Sequence, residues 1–170
     1  MAIRLGLRWL RPLMEMGREP MLRWMREAGL DALDLPGPDP EWVRAVRAAG
    51  LSVGSVDAPA VGASLSPDPG RRREAVAQLK ATLDAMAEQD LHVLFVCLVP
   101  EDPAQPRRET FRIWADTYPE VLAHAAARGV RLAVEPWPGP APHFPALGCT
   151  PETLRRMFAA IDSPALGICY

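Results

Sequence analysis

Cysteine and long apolar runs are scarce in this sequence. Its three cysteines, Cys97, Cys149 and Cys169, form no CxxC pair and are odd in number, so we expect a reducing cytoplasm, with Cys97 and Cys169 as small buried side chains. No apolar run approaches the ~20 residues that a membrane helix needs. The first residues, Met-Ala-Ile-Arg, also lack the apolar stretch of a signal peptide. We therefore expect no membrane partner and a cytoplasmic location.

An excess of charge of either sign is also missing. Nineteen Lys and Arg residues against 21 Asp and Glu residues give a formal net charge of −2. A strongly basic nucleic-acid binder is thereby excluded, so we expect no nucleic-acid partner. With 49% hydrophobic and 24% charged residues among 170, the composition is that of a single globular domain, residues 1–170.

A repeating order of local signals is abundant in the sequence. Three times, a helical stretch ends at a glycine, and a short β-type run follows that ends near an acid, with a proline close behind. The three acids are Asp34, Asp57 and Glu135. A fourth run, residues 91–98, is almost continuously apolar, which is typical of a parallel strand covered on both faces.

These signals predict six strands that alternate with five helices. The strands are predicted near residues 3–8, 31–35, 51–57, 91–98, 130–135 and 165–170. The helices are predicted near residues 20–28, 40–49, 70–89, 108–128 and 151–161. Pro119 is expected to kink or restart the fourth helix. Strict alternation indicates parallel strands with right-handed crossovers.

Two architectures share this alternation, a doubly wound open sheet and a (β/α)₈ barrel. The first strand is followed by Leu-Arg-Trp-Leu-Arg-Pro rather than by a glycine-rich phosphate turn, which argues against a nucleotide-binding open sheet. Acids at the ends of several strands favour a barrel, in which the βα loops build the site. A whole barrel needs about 250 residues. We therefore predict an incomplete TIM-barrel-type α/β domain with sequential strands and all helices on one side of the sheet.

Glu135 is the strongest candidate for chemistry because it ends the fifth predicted strand, at the mouth of an apolar barrel. A carboxylate there can bind a divalent cation or shuttle a proton, and the alternative is a salt-bridged strand end. Trp9 and Trp137 follow strands one and five, where they would either line a sugar pocket or pack in loops. Asp34 and Asp57 would either contact substrate hydroxyls or cap loops.

His143 lies in the loop of residues 136–145, which contains five prolines. Proline stiffens a loop, so this segment is predicted to form a positioned lid over the mouth. His143 would then touch substrate or metal, or be merely solvated. The tryptophans on predicted helices, Trp24, Trp42 and Trp114, are expected in the core.

Residues 125–136, Ala-Ala-Ala-Arg-Gly-Val-Arg-Leu-Ala-Val-Glu-Pro, resemble a segment of the xylose-isomerase-like TIM barrels. This is the sugar phosphate isomerase/epimerase superfamily, which also contains endonuclease-IV-type enzymes. The segments of residues 150–154 and 163–170 are similar to the family's fifth helix and sixth strand. The resemblance covers the whole chain in layout and residues 120–170 in motif.

The resemblance implies an isomerase or epimerase that acts on a sugar or sugar phosphate and binds one divalent metal ion (Mn, Mg, Co or Zn). The family's ligands are a Glu of strand five, an Asp of strand six, a His of strand seven and a Glu of strand eight. Only Glu135 matches this set, as a ligand and as one of two glutamates that move a proton through an enediolate. The match ends at Tyr170, where the family's Asp would follow, so the chain is expected to be truncated after its sixth strand and inactive by itself.

Two other functions remain open from the sequence. One is a non-catalytic partial barrel that serves as a binding or assembly module. The other is an endonuclease-IV-like metal hydrolase, against which the near-neutral charge and the lack of a histidine-rich ligand set in the first half argue. For an isomerase or epimerase, the expected partner is a small-molecule sugar substrate. Exposed edges at strands one and six also predict a homo-oligomer.

Overall fold

The computed structural model describes residues 4–169 and places six strands in one sheet. The strands are β1 (Gly6–Leu7), β2 (Ala32–Leu35), β3 (Ser52–Asp57), β4 (Val93–Val96), β5 (Arg131–Val134) and β6 (Leu166–Ile168). All neighbours pair in parallel, in the order β1-β2-β3-β4-β5-β6. The predicted sequential sheet is confirmed, while the outermost predicted strand positions, residues 3 and 170, lie outside the described residues.

Five long helices agree with the five predicted ones. They are α2 (Arg18–Glu27), α3 (Pro40–Ala48), α5 (Pro69–Glu88), α6 (Arg107–Ala127) and α7 (Pro151–Ala160). Two single-turn helices are additional, α1 (Arg11–Met14) and α4 (Val61–Ser64). Neither of these begins with a side-chain cap hydrogen bond, which is the start signal that α3 and α7 have. No helix of the described chain is long and apolar enough to cross a membrane.

Helix starts follow the local chemistry of the sequence. The Asp39 side chain accepts a hydrogen bond from the amide two residues ahead at 2.8 Å, and α3 then begins with a proline. The Thr150 hydroxyl accepts one from the amide three residues ahead at 3.2 Å, and α7 begins the same way. Both caps satisfy amides that have no partner inside the helix.

The fourth long helix, α6, runs unbroken past Pro119. The predicted restart of the helix at this point is therefore wrong. Tyr118, Val121 and Leu122 are all buried beside the proline, and the Tyr118 hydroxyl lies 3.0 Å from the hydroxyl of Ser64. These tertiary contacts hold the helix together where proline lacks a hydrogen-bond donor.

The strands have two chemically different faces because successive side chains point to opposite sides. One face is apolar and joins residues of the helices in the hydrophobic core. Its buried members are Leu33, Leu35, Val56, Leu94, Val96, Leu132, Val134 and Leu166. The opposite face is called the polar face below. It is lined by Arg8, Asp34, Asp57, Phe95, Cys97, Glu135 and Cys169.

The three tryptophans expected in the core have different environments. Trp114 is fully buried, Trp42 is half-buried, and Trp24 is 40% exposed. The expectation for Trp24 is wrong because the buried stripe of α2 consists of Met21, Leu22 and Met25, and Trp24 lies beside that stripe.

Candidate functional site

Glu135 directly follows β5 at its carboxyl end. Its backbone N–H donates to the carbonyl of Val96 at 2.9 Å, so the parallel ladder continues past β5 and holds Glu135 beside β4. The side chain is half-buried, and the Cys97 thiol donates to its Oε2 atom at 2.8 Å. Among residues 4–169, no Lys, Arg or His forms an ion pair with Glu135. The carboxylate is therefore held in place by a neutral group.

The two cysteines beside Glu135 differ from expectation. Cys97 and Cys169 are half-buried on the polar face, not fully buried. Burial and then the adjacent Glu135 carboxylate raise the pKa of Cys97 to about 12. Burial also raises the pKa of Cys169. Since the thiolate is the reactive and metal-binding form, Cys97 acts at neutral pH as a hydrogen-bond donor.

Asp57, the last residue of β3, forms an ion pair with Arg8. Its two carboxylate oxygens lie 3.1 and 3.2 Å from one guanidinium nitrogen. The same guanidinium lies over the Phe95 ring, 4.2 Å from its centroid. Burial raises the pKa of Asp57, Arg8 opposes this rise, and the charges of Asp34 and Glu135 add to it. The charges of Asp34 and Glu135 thus reach Asp57 across the polar face.

Asp34 serves the backbone of the neighbouring strand. Its Oδ1 atom accepts a hydrogen bond from the N–H of Ser55 at 2.7 Å. This contact lies where the register between β2 and β3 shifts because β3 contains one extra residue. The preceding residue is Gly54, and a Cβ there would collide with the Asp34 carboxylate. Asp34 therefore has a structural role, and its contact with a substrate remains a prediction.

The predicted aromatic residues are placed differently from each other. Trp9 is half-buried against Trp42 of α3, with ring centroids 4.6 Å apart and an interplanar angle of 77°. This arrangement matches the loop-packing alternative for Trp9. Trp137, two residues beyond Glu135, is 45% exposed. Trp137 is free to contact a ligand, and sugar stacking by either ring remains a prediction.

The proline-rich loop after β5 is attached to the rest of the protein. The Leu147 N–H donates to the Leu98 carbonyl at 2.8 Å, and Leu147 is buried. The side chain of Arg107 donates to the Phe144 carbonyl. His143 itself is exposed to solvent. These anchors are consistent with a positioned loop, and a contact between His143 and substrate or metal stays a prediction.

Sequence reasoning missed two residues of the polar face, Arg8 and Cys97. Arg8 directly follows β1, and Cys97 directly follows β4, as Glu135 follows β5. Both lie among the last two residues of predicted strands, at 3–8 and 91–98, so a search for polar or thiol side chains at those positions would have found both. The alternation of strand side chains also puts these positions on one face.

The donor atoms of the polar face do not by themselves fit a divalent metal ion. Such an ion takes about six oxygen or nitrogen ligands. Glu135 supplies one carboxylate, whereas Asp57 is paired with Arg8 and Asp34 with a backbone amide. Within the described chain, no three His, Cys, Asp or Glu side chains converge as metal ligands.

Comparison with known proteins gives one family. The sequence profile of the xylose isomerase-like TIM barrel matches residues 21–170. No curated protein sequence matches the chain.

Solved structures share the fold at low sequence identity. The 3-keto-D-glucoside 4-epimerase of E. coli is 18% identical with a TM-score of 0.79, over 98% of this chain and 67% of that one. An L-ribulose 3-epimerase is 21% identical with a TM-score of 0.76, over 97% and 59%. A D-tagatose 3-epimerase-like protein is 22% identical with a TM-score of 0.73, over 98% and 64%. The chain thus spans about two thirds or less of the length of these structures.

Proposed function

The chain belongs to the xylose isomerase-like TIM barrel family, and on that premise we propose that it supplies six strands of the active site of a sugar isomerase or epimerase. Glu135 is the acid–base residue of this site. The observation that carries the proposal is the state of Glu135, a half-buried carboxylate at a strand end with a thiol as donor and no ion-pair partner among residues 4–169. The epimerases among its structural neighbours support a sugar as the class of substrate.

The chemistry that suits this carboxylate is proton transfer at the carbon next to a sugar carbonyl. One oxygen of Glu135 is occupied by the Cys97 thiol. The other is left to take the proton, which forms an enediolate, and to return it when the carbonyl is restored. Epimerisation requires return of a proton on the opposite side of the carbon. We propose that a second acid–base group, outside residues 4–169, performs that step.

The proposal gives a divalent ion one possible ligand, Glu135, and no step of the reaction. Glu135 would be one ligand of Mn²⁺, Mg²⁺, Co²⁺ or Zn²⁺, but the described donors do not complete such a site. No step assigned to Glu135 therefore depends on an ion. We propose that the 170-residue chain, taken by itself, binds these ions weakly and is inactive.

The test compares the chain with a longer polypeptide in which the remaining βα units of an eight-stranded family barrel follow residue 170. Each is incubated in D₂O with ketoses and ketose phosphates, and deuterium at the carbon next to the carbonyl is measured by NMR. Elemental analysis measures bound metal. We expect exchange and metal in the longer polypeptide alone. Vigorous exchange by the short chain would contradict its proposed inactivity.

The residue assignment is tested with Glu135→Gln in the longer polypeptide. Loss of the acid–base group should lower the exchange rate by about 100-fold or more. Glu88→Gln, an exposed acid at the end of α5, is the matched control and should have no effect. An unaffected Glu135→Gln variant would show that the chemistry lies on another residue.

Two outcomes would point to the alternative functions. A longer polypeptide that binds no metal and exchanges no deuterium would support a non-catalytic binding or assembly module. Cleavage of DNA at an abasic site, measured in the same preparations, would support the endonuclease-IV-like hydrolase. Either result would contradict the proposal that the protein is a sugar isomerase or epimerase.

A further inference from the structure

Cys97 and Glu135 are neighbours because of the sheet itself. Val96 pairs with Val134 in the parallel register of β4 and β5, and each of the two residues directly follows its strand. Both side chains therefore leave the sheet on the polar face, side by side. The hydrogen bond from the thiol to Oε2, at 2.8 Å, follows from this placement.

The polar face carries the guanidinium of Arg8, which is engaged by another carboxylate. Arg8 binds both carboxylate oxygens of Asp57 and lies over the Phe95 ring. Glu135 has a neutral donor instead. The thiol is a weak hydrogen-bond donor, and it holds one oxygen of the carboxylate and leaves the other unoccupied within residues 4–169.

We infer that Cys97 is a positioning residue for Glu135. The thiol holds Oε2, and Oε1 has no hydrogen-bond partner within residues 4–169, so it is the oxygen available to a substrate. This inference rests on the proposed function, because the orientation of Glu135 matters to catalysis only if Glu135 transfers the proton. Misplacement of a reacting group by about 1 Å can cost about 100-fold in rate.

The contact is tested first in the 170-residue chain, without any activity measurement. Donation to a carboxylate lowers the S–H stretching frequency of a thiol, which infrared spectroscopy detects. We expect one lowered band that disappears in Cys97→Ala and moves toward the frequency of a free thiol in Glu135→Gln. Cys149→Ala, in the loop before α7, is the matched control and should leave the band in place. Absence of a lowered band, or a band indifferent to Glu135→Gln, would overturn the inference.

The catalytic consequence is tested by deuterium exchange in the longer polypeptide. Cys97→Ala should lower kcat by roughly tenfold with KM little changed, because a misoriented base affects the proton transfer more than binding. Cys97→Ser, which keeps a donor of similar size, should restore most of the rate. Wild-type kcat in Cys97→Ala, or equal losses in both variants, would overturn the positioning role.

The two proposals fail in different ways. If the wild-type polypeptide exchanges deuterium and Glu135→Gln does not, but Cys97→Ala is as fast as wild type, only the positioning role is wrong. If the wild-type polypeptide exchanges none, the proposed function fails and the catalytic role of Cys97 falls with it. The infrared band then still reports whether the thiol–carboxylate contact exists.

Discussion

The two halves of the polar face use their carboxylates differently. On the side of β1 to β3, Asp34 accepts from the amide of Ser55, and Asp57 is paired with Arg8. On the side of β4 to β6, the only side-chain partner of the Glu135 carboxylate among residues 4–169 is the Cys97 thiol. Both halves place acids at strand ends, so position alone does not mark a reactive group. The difference lies in whether the charge already has a fixed partner in the folded chain.

The half of the sheet whose acids are engaged is also the less regular half. The register between β2 and β3 shifts by one residue, and Asp34 satisfies the amide at that shift. The pairing of β4 with β5 runs through four successive residue pairs without a shift. An irregular ladder needs a side chain to complete its hydrogen bonds, whereas a regular one leaves its strand-end side chains available.

Giving Glu135 a fixed cation would erase the difference between the halves. Cys97→Lys puts an ammonium group beside the carboxylate, in the role that Arg8 has beside Asp57. We expect the deuterium-exchange rate of the longer polypeptide to fall by about 100-fold, because an ion-paired carboxylate accepts a proton less readily. Cys149→Lys should leave the rate unchanged. Exchange at the wild-type rate in Cys97→Lys would show that the uncompensated charge is unimportant.

The structural role of Asp34 is tested by removing its acceptor. Asp34→Ala leaves the Ser55 amide without a partner and should lower the free energy of unfolding by about 1–2 kcal/mol. Asp34→Asn keeps an acceptor oxygen and should be nearly as stable as wild type. Urea unfolding of the 170-residue chain measures both variants. Equal destabilisation by the two substitutions would show that the charge of Asp34, and not its hydrogen bond to Ser55, stabilises the protein.

The smallest effect is expected from Arg8→Met, which removes the partner of Asp57. The pair is partly exposed, so the loss in the free energy of unfolding near neutral pH should be at most about 1 kcal/mol. Burial already raises the pKa of Asp57, and loss of Arg8 raises it further. A carboxyl group whose pKa is raised on folding stabilises the folded state below its unfolded pKa. That stabilisation is lost as the pH rises through its folded pKa.

The free energy of unfolding of Arg8→Met should therefore be lower than that of wild type mainly above the pKa of Asp57. In acid the two proteins should be almost equally stable. Urea unfolding at neutral pH and in acid, below the unfolded pKa of aspartate, measures this trend. Arg18→Met, which removes an exposed ion pair with Glu41, is the control. Its free energy of unfolding should not show the pH trend that is assigned to Asp57. A difference that grows as the pH falls would contradict the assignment of the effect to this pair.

Local chemistry made most of the fold predictable. Caps such as Asp39 and Thr150 satisfy amides within a few residues, and the helices that follow them begin where predicted. Pro119 shows the limit of this reasoning, because buried neighbours such as Tyr118 keep the helix intact despite the missing donor. Trp24 shows another limit, since helical position alone does not tell which side of the buried stripe a residue occupies.

The candidate site was predictable only in part. The position of Glu135 at the end of a strand follows from the sequence, because a polar residue ends the apolar run of residues 132–134. Its partner does not follow, since the contact with Cys97 depends on the register between two strands that are distant in the chain. The same holds for Arg8 and Asp57, which are 49 positions apart and meet only across the sheet.

Each strand from β2 to β6 pairs with the strand made just before it during translation. The chain can therefore acquire its structure from the N-terminus onward, as each new strand and helix emerges from the ribosome and adds to an existing edge. Among the six strands of residues 4–169, each pairing therefore closes a loop of one crossover at a time, which limits its entropic cost. Cys97 and Glu135 then meet early, as soon as β5 docks on β4.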